Sequence, residues 1–175
     1  NFLHHNSGDG VHLLGNHVVP FEVGSIGALN PTREVTIQGN SIHDNRGHGV
    51  VVGAAVDVTI KGNTLWNGRP SPVGEGVGIE LHDGATTVGV EDNFLVEVTQ
   101  GIVVHAGARL DARPEGSLPP SSILVERNLI QNPVTPGRLG ILIDHAVDVR
   151  LYHNAVTRVR KALVVFDLPP KTDGL

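Results

Sequence analysis

The sequence predicts an all-β solenoid, a single domain in which short strands wind in successive stacked coils, and three observations carry that prediction. The chain has 175 residues, a length typical of one domain. It contains 22 Gly and 11 Pro, which interrupt the backbone too often for long helices. A segment of alternating apolar and polar residues recurs along nearly the whole chain, and such recurrence is typical of stacked repeats.

The repeat is clearest in two segments that are almost identical. Residues 35–42 read VTIQGNSI and residues 58–65 read VTIKGNTL, so both contain the same Asn, and a half copy opens the chain at Asn1. The other complete copies are residues 88–95, 123–130 and 149–156. The positions five and three before the Asn and two after it are always apolar, with mostly polar residues between. This period of two predicts strands.

A second apolar segment follows each copy and begins with Gly in all but the last coil. These segments are residues 10–13, 49–52, 78–81, 101–104, 140–143 and 162–165. Each copy with its second segment predicts one coil, and no coil can bury its apolar face without stacking on its neighbours.

The recurrent Asn is expected at the sharp turn between two strands, because Asn tolerates the left-handed backbone conformation. Stacked on successive coils, these side chains are expected to hydrogen-bond in a ladder. The predicted ladder consists of Asn40, Asn63, Asn93, Asn128 and Asn154.

The coils are predicted to occupy residues 1–167, as one domain of about five to six coils, with residues 168–175 as a C-terminal tail that contains two prolines. Successive anchor Asn residues lie 23 to 39 residues apart, so the excess length must leave the coils as loops. The predicted loops are residues 16–34, 68–76, 107–121 and 133–139. All four adjoin the Gly-started strands, which predicts a groove over that face.

The motif V-T-I-x-G-N-x-I followed by G-V-x-V resembles the coil of the right-handed parallel β-helix family, which includes pectate lyases, polygalacturonases and alginate epimerases. The resemblance covers residues 1–167 and implies a right-handed parallel β-helix. It implies a polysaccharide as partner, and an extracellular, cell-surface or periplasmic location is expected. One fold hosts many activities, so the resemblance does not fix the function.

The catalytic motifs of these enzymes match this chain only in part. Gly47-His48-Gly49 has the G-H-G turn of polygalacturonases without the aspartates that accompany it. Asp144-His145 lacks the Pro of the Asp-Pro-His turn of alginate epimerases. The acidic calcium ligands of pectate lyases have no clear counterpart.

Composition excludes several other classes of function. The net charge is −5 with neutral His, and clustered Lys and Arg, the footprint of nucleic-acid binding, are missing. No apolar run reaches the ~18–20 residues of a membrane span. The chain has no Cys, which excludes disulfides and thiol chemistry. It has ten His, so full protonation would change the net charge to +5.

The candidate site lies at the ends of the Gly-started strands. His82, His105 and Asp144 stand four residues after their Gly, and Asp83 and His145 stand five after theirs. Because neighbouring coils are ~4.8 Å apart, these side chains are expected to form one row. They are the predicted catalytic residues.

Four further residues are predicted to bind substrate. Glu80 points outward on the same strand face, and Arg109 and Arg113 follow the strand that ends at His105. Arginines can pair with a sugar carboxylate through two hydrogen bonds. Tyr152 is the fourth. It and Trp66 are the only large amphipathic rings, and either can stack on a sugar.

Several chemistries fit these residues. His beside carboxylate can supply the base and acid for β-elimination or C5 epimerisation of a uronic acid. Hydrolysis is the alternative and needs two carboxylates. No cofactor and no metal site are expected, although Glu80, Asp83 and Asp144 leave calcium open. Strand ends of such a fold are also expected to face solvent, which by itself accounts for polar side chains.

A non-catalytic scaffold or assembly subunit is the second hypothesis. Four outward positions, two residues after the Gly, are apolar: Val51, Val103, Leu142 and Val164. These positions predict an apolar strip that the flanking loops, another chain or another part of this protein covers. The first coil also lacks its leading strand, so its edges and core are exposed, and another segment or chain is expected to cap the N-terminal end.

Overall fold

The computed structural model describes residues 1–4, 6–14, 31–66, 76–106, 118–131 and 137–166, and every regular element within these ranges is a β-strand. The strands form three sheets in which all pairs of neighbouring strands are parallel. Neighbours in a sheet come from successive coils. The predicted parallel β-helix is therefore confirmed.

Sheet 1 contains the short strands that follow each anchor Asn. They are β1 (Phe2–His4), β4 (Ser41–His43), β7 (Thr64–Trp66), β10 (Phe94–Val96), β13 (Leu129–Gln131) and β16 (Ala155–Thr157).

Sheet 2 contains the Gly-started strands. They are β2 (Val11–Leu14), β5 (Val50–Gly53), β8 (Val77–His82), β11 (Gln100–His105), β14 (Gly137–Asp144) and β17 (Val159–Phe166).

Sheet 3 contains the strands that precede each anchor Asn. They are β3 (Thr32–Gln38), β6 (Ala55–Lys61), β9 (Thr86–Glu91), β12 (Ser121–Glu126) and β15 (Val147–Tyr152). One strand from each sheet makes a coil, which gives five coils of three strands and a leading coil that contributes β1 and β2.

Three of the predicted loops include, at their C-terminal ends, residues that belong to strands in the structure. Thr32 pairs with Ala55, Ser121 with Thr86, and Gly137 with Val159, so these residues already belong to strands. The strands extend further than the apolar pattern indicated because their first residues pair with a neighbouring coil through the backbone. Most of the remaining loop residues, and the predicted tail, lie outside the described residues.

The core is aliphatic, as the composition predicts. Within the described ranges, every buried apolar side chain is Ile, Val, Leu or Ala. In the three interior copies of the repeat, the apolar positions, such as Ile60, Leu65 and Val90, are at most 1% exposed. Each such side chain contributes about 1.5–3 kcal/mol relative to full exposure. Stacking, which places like residues over one another, therefore provides most of the stability.

The predicted Asn ladder is present. The Nδ2 of each anchor Asn donates to Oδ1 of the Asn in the next coil at 3.0–3.1 Å, from Asn1 through to Asn154. From Asn40 onward, the backbone N–H donates to the same Oδ1. The second Nδ2 proton reaches a carbonyl of the preceding coil, as from Asn63 to Ile37 at 2.8 Å. Each interior side chain thus satisfies four backbone or amide groups.

The left-handed residue at this corner is not the Asn, as predicted, but the residue before it. Gly39 and Gly62 have φ of 65° and 60°, and Asp92, Arg127 and His153 have φ between 51° and 53°. The Asn is instead held by its side-chain hydrogen bonds to both neighbouring coils. Its role is to satisfy buried polar groups at the corner.

The Gly that opens each strand of sheet 2 is required by close packing. A Cβ on Gly78 would lie 2.5 Å from Leu95 Cδ2 and 2.8 Å from the carbonyl oxygen of Gly101 in the next coil. A Cβ on Gly49 would meet Leu65 and the Gly78 carbonyl at similar distances. None of these glycines has a left-handed φ, so the space, and not the backbone conformation, excludes a side chain.

Gly78→Ala is expected to lower the free energy of unfolding by about 1–3 kcal/mol or more, because a backbone carbonyl cannot move away from the new methyl group. Urea unfolding measures the loss. Gly8→Ala is the matched control, since a Cβ there has nothing within 4 Å. Equal stability of the two variants would contradict the close-packing argument.

Asn63→Ala is expected to lower the free energy of unfolding by about 3 kcal/mol, because it leaves several buried polar groups without partners. The control is Asn154→Ala, at the end of the ladder, where the side chain is only partly buried. A smaller loss is expected there, and a loss as large as that of Asn63→Ala would show that burial does not set the cost.

Candidate functional site

The outward face of sheet 2 brings together imidazoles and carboxylates from three coils. We call this group the His–carboxylate cluster; its members are His48, Glu80, His82, Asp83 and His105. His48 lies two residues before β5, Glu80 and His82 lie on β8, Asp83 follows β8, and His105 ends β11. Parallel pairing in register places these strand ends side by side.

Glu80 is the centre of the cluster. Its Oε1 accepts a hydrogen bond from His105 Nε2 at 2.8 Å, and its Oε2 lies 3.3 Å from His48 Nε2. The two histidines come from the coils on either side of Glu80. An ionised carboxylate only accepts hydrogen bonds, so Nε2 of His105 carries the proton and Nδ1 is the basic nitrogen of the neutral ring.

The pKa of Glu80 is lowered from its ordinary value of 4.5. Burial is the largest single influence and by itself raises the pKa, because it disfavours the charged form. The hydrogen bond from His105, together with the charges of His48, His105 and His82, outweighs burial. Glu80 is therefore held as a carboxylate in a largely covered position.

His82 forms a second imidazole–carboxylate pair beside the first. Its Nδ1 lies 2.8 Å from Asp83 Oδ2. The His82 and His105 rings stack with centroids 5.8 Å apart and planes at 22°. Gly53 makes room for His82, since a Cβ on it would lie 2.7 Å from His82 Cε1.

Asp144 and His145 continue the row on the next coil. Asp144 pairs in register with His105 and is buried, and its Oδ1 is paired with Nδ1 of His145. Asp83 and His145, the residues after their strands, both adopt a left-handed φ, of 45° and 54°. The five predicted catalytic residues thus lie along one edge of sheet 2.

These residues are less exposed than expected for solvent-facing strand ends. The side chains of His82 and His105 are each 13% exposed and that of Glu80 is 16% exposed. Mutual stacking and pairing across coils cover them. The central members of the row therefore face solvent only in part.

The other predicted substrate-binding residues are not in this group. Tyr152 lies on β15 in sheet 3, where it is exposed and pairs in register with Glu126. Trp66 lies in sheet 1 and stacks on His43, with ring centroids 4.0 Å apart and planes at 3°, so that ring face is already occupied. Arg109 and Arg113 lie outside the described residues.

His48 is the member that the sequence pattern did not assign to the row. It belongs to the Gly47-His48-Gly49 turn, one residue before the Gly of its strand. Strict alternation contained no such signal, because it places the residue before the Gly on the inward side, whereas in the structure this residue and the one two after the Gly both lie on the outward face of sheet 2. Val77, one before its Gly, clusters with Val103 and Leu142, two after theirs.

The predicted apolar strip on this face is largely covered within the chain itself. Val51, Val103 and Leu142 are 3–6% exposed, and the latter two pack with Val77. The strip is therefore not a free docking surface. Its apolar side chains instead surround Glu80 and reduce its contact with water.

In the described part of the chain, no three His, Asp or Glu side chains are arranged to hold a metal ion. The same part contains no helix that could cross a membrane.

The chain matches the family described as "right handed beta helix region" over residues 1–167. It therefore belongs to the right-handed β-helix family, in agreement with the three parallel sheets. Comparison with curated proteins and with solved structures gives no match. The family and the fold are thus shown, and the activity has to be inferred from the site.

Glu80→Gln is expected to make stability less dependent on acid pH. The pKa of Glu80 is lower in the folded protein, so its ionisation stabilises the fold above the ordinary value of 4.5, and this contribution is lost as the pH falls through the folded pKa. The difference in unfolding free energy between wild type and Glu80→Gln should therefore shrink between about pH 6 and about pH 3. Urea unfolding across this range measures it.

The exposed Glu97 provides the control, as Glu97→Gln. A difference for Glu80→Gln that stays constant, or that grows on acidification, would contradict the assigned pairing with the histidines.

Proposed function

We propose that this β-helix binds an acidic polysaccharide along the outward face of sheet 2 and modifies it by proton transfer, as a lyase or epimerase acting on uronic acid residues. The observation that supports this proposal best is the stacked pair of His82 and His105, each ring oriented by its own carboxylate. A carboxylate that fixes the tautomer and orientation of an imidazole is a recurrent element of acid–base sites.

The two imidazoles supply both halves of the chemistry. One, in its neutral form, removes the proton from C5 of the uronic acid. In β-elimination, the electrons of the C5–H bond form the C4=C5 double bond while the C4–O4 bond breaks, and the second, protonated imidazole gives its proton to O4. In epimerisation, the second imidazole returns a proton to C5 from the opposite face, and no bond to oxygen breaks.

Elimination or epimerisation is favoured over hydrolysis by the partners of the carboxylates. Hydrolysis needs two carboxyl groups that act directly on the glycosidic bond. Here Glu80 and Asp83 are each paired with an imidazole at 2.8 Å. They serve to orient bases, while Asp144 and His145 extend the substrate-contacting edge by one coil.

The acidic character of the substrate follows from the reaction. A carboxylate on C5 makes the neighbouring proton acidic enough for an imidazole to remove. Arg109 and Arg113 are proposed to pair with that carboxylate, since they follow β11 directly in the sequence. Because the substrate is a polysaccharide of this kind, we propose an extracellular, cell-surface or periplasmic location for the protein.

A cap on the N-terminal end is the second part of the proposal. Leu3, Val11, Leu13 and Val35, which belong to the first strand of each sheet, are only partly buried, although their register partners in the next coil are fully buried. Another segment or chain is proposed to cover them.

A non-catalytic scaffold or assembly subunit is the alternative. It is favoured by the last coil, where Leu163, Val165 and Phe166 of β17 are about half exposed. The outward strip of sheet 2 is covered and does not serve this alternative, so docking would use the end of the solenoid.

The decisive experiment incubates the protein with polygalacturonate, alginate and a glycosaminoglycan in deuterated water. Ultraviolet absorbance detects the unsaturated product of elimination, whose C5 carries no hydrogen, and NMR detects the deuterium that epimerisation incorporates at C5. The proposal expects one or both signals with at least one polymer. Silence on all three would favour the scaffold.

His105→Gln and His82→Gln are expected to lower turnover by about 10²–10⁴-fold, the usual contribution of a general acid or base. Gln keeps an N–H donor toward the orienting carboxylate, which limits the loss of stability. His153→Gln is the control, on the exposed corner before Asn154. Full activity in both cluster variants would show that the stacked pair is not the reactive centre.

A further inference from the structure

We infer that this face of sheet 2 is a pH-gated polyanion site, which repels an acidic polymer at neutral pH and accepts it in mild acid. The inference deepens the proposed function and rests on it for the class of polymer. It stands on five histidines that follow one another along the solenoid, each beside a carboxylate. We call them the histidine row: His12, His48, His82, His105 and His145.

The histidine row spans five successive coils. His12 lies on β2, in register with Val51 and, through it, with Glu80 on β8. His145 directly follows β14, after Asp144, which is in register with His105. With coils ~4.8 Å apart, the row extends about 20 Å along the solenoid axis. Across the strands it reaches from His48, which lies before the start of its strand, to His145, which lies after the end of its strand. All five side chains keep some contact with solvent, from 13% to 44% exposed.

Four carboxylates face the row. Asp9 lies 3.0 Å from His12, Glu80 serves both His48 and His105, Asp83 pairs with His82, and Asp144 pairs with His145. With neutral imidazoles, the row and its partners carry four negative charges. With all five imidazoles protonated, they carry one net positive charge.

The imidazoles, rather than the carboxylates, account for this change in mild acid. Imidazole is the side chain whose charge ordinarily changes between pH 5 and 8. The lowered pKa of Glu80 keeps the central carboxylate ionised over the same range. Other charged groups near the row are the His43–Asp44 pair and Arg46 in the turn before His48, and Lys161 on the last coil.

The shape of the row suits a linear polymer. A polyuronate or a sulfated polysaccharide carries about one negative charge per sugar, and the row offers one imidazole per coil. At neutral pH, like charges along this length oppose binding. On protonation the repulsion disappears, and the His48–Glu80–His105 group becomes locally positive.

The test measures binding of the full chain to polygalacturonate and to dextran sulfate, with uncharged dextran as control, by titration calorimetry at low salt. Affinity for both polyanions is expected to be about tenfold higher at about pH 5.5 than at about pH 7.5, and salt should reduce the difference. Dextran should not bind at either pH.

His12→Gln tests a member of the histidine row that is not part of the proposed reactive pair, His82 and His105. It is expected to reduce the gain in affinity on acidification by about twofold, whereas His153→Gln should leave that gain unchanged. Equal affinity at both pH values, absence of binding at both, or equal effects of the two variants would overturn the gate.

The experiments distinguish a failure of the pH-dependent binding from a failure of the proposed reaction. Acid-dependent binding of polyanions without turnover or C5 exchange would leave the gate standing and overturn the lyase or epimerase proposal. Turnover with affinity that does not depend on pH would do the reverse.

Discussion

The hydrogen-bonded Asn ladder is the constraint on which the rest of this structure depends. Each interior Asn joins its own coil to both neighbours through its side-chain amide, and it does so where a buried corner would otherwise leave backbone groups without partners. A coil that slipped by one residue would lose these bonds and turn its apolar side chains outward. The ladder therefore fixes the register of all three sheets.

Because the register is fixed, residues at the same number of positions from the Gly of each coil stack on one another in columns. The Gly column of sheet 2 exists because the carbonyl and the apolar side chain of the next coil always arrive at the same height, as at Gly78. The His–carboxylate cluster obeys the same geometry, since His82 and His105 occupy the same offset on neighbouring coils and so stack. A few polar residues at one offset, in a column that otherwise only supports the fold, are therefore enough to place reactive side chains along the groove.

The cluster itself is a balance between burial and charge. Covering Glu80 disfavours its ionisation, but histidines from the two adjacent coils restore it. Because their partners lie on different coils, the pairing also contributes to stacking. The site is thus built into the same contacts that hold the solenoid together, which links the state of its protons to the stability of the fold.

The sequence by itself determined the fold, the number of coils, the Asn ladder and the columns of sheet 2, because a period of two and a repeated anchor depend only on the order of residues. It misplaced the left-handed corner by one residue, since backbone conformation there depends on hydrogen bonds from neighbouring coils. Only the tertiary structure decided that His48 and His105 share Glu80, that Tyr152 lies on another sheet, and that Val103 is covered. Those facts depend on which outward side chains meet across coils, and the spacing along one coil does not specify that.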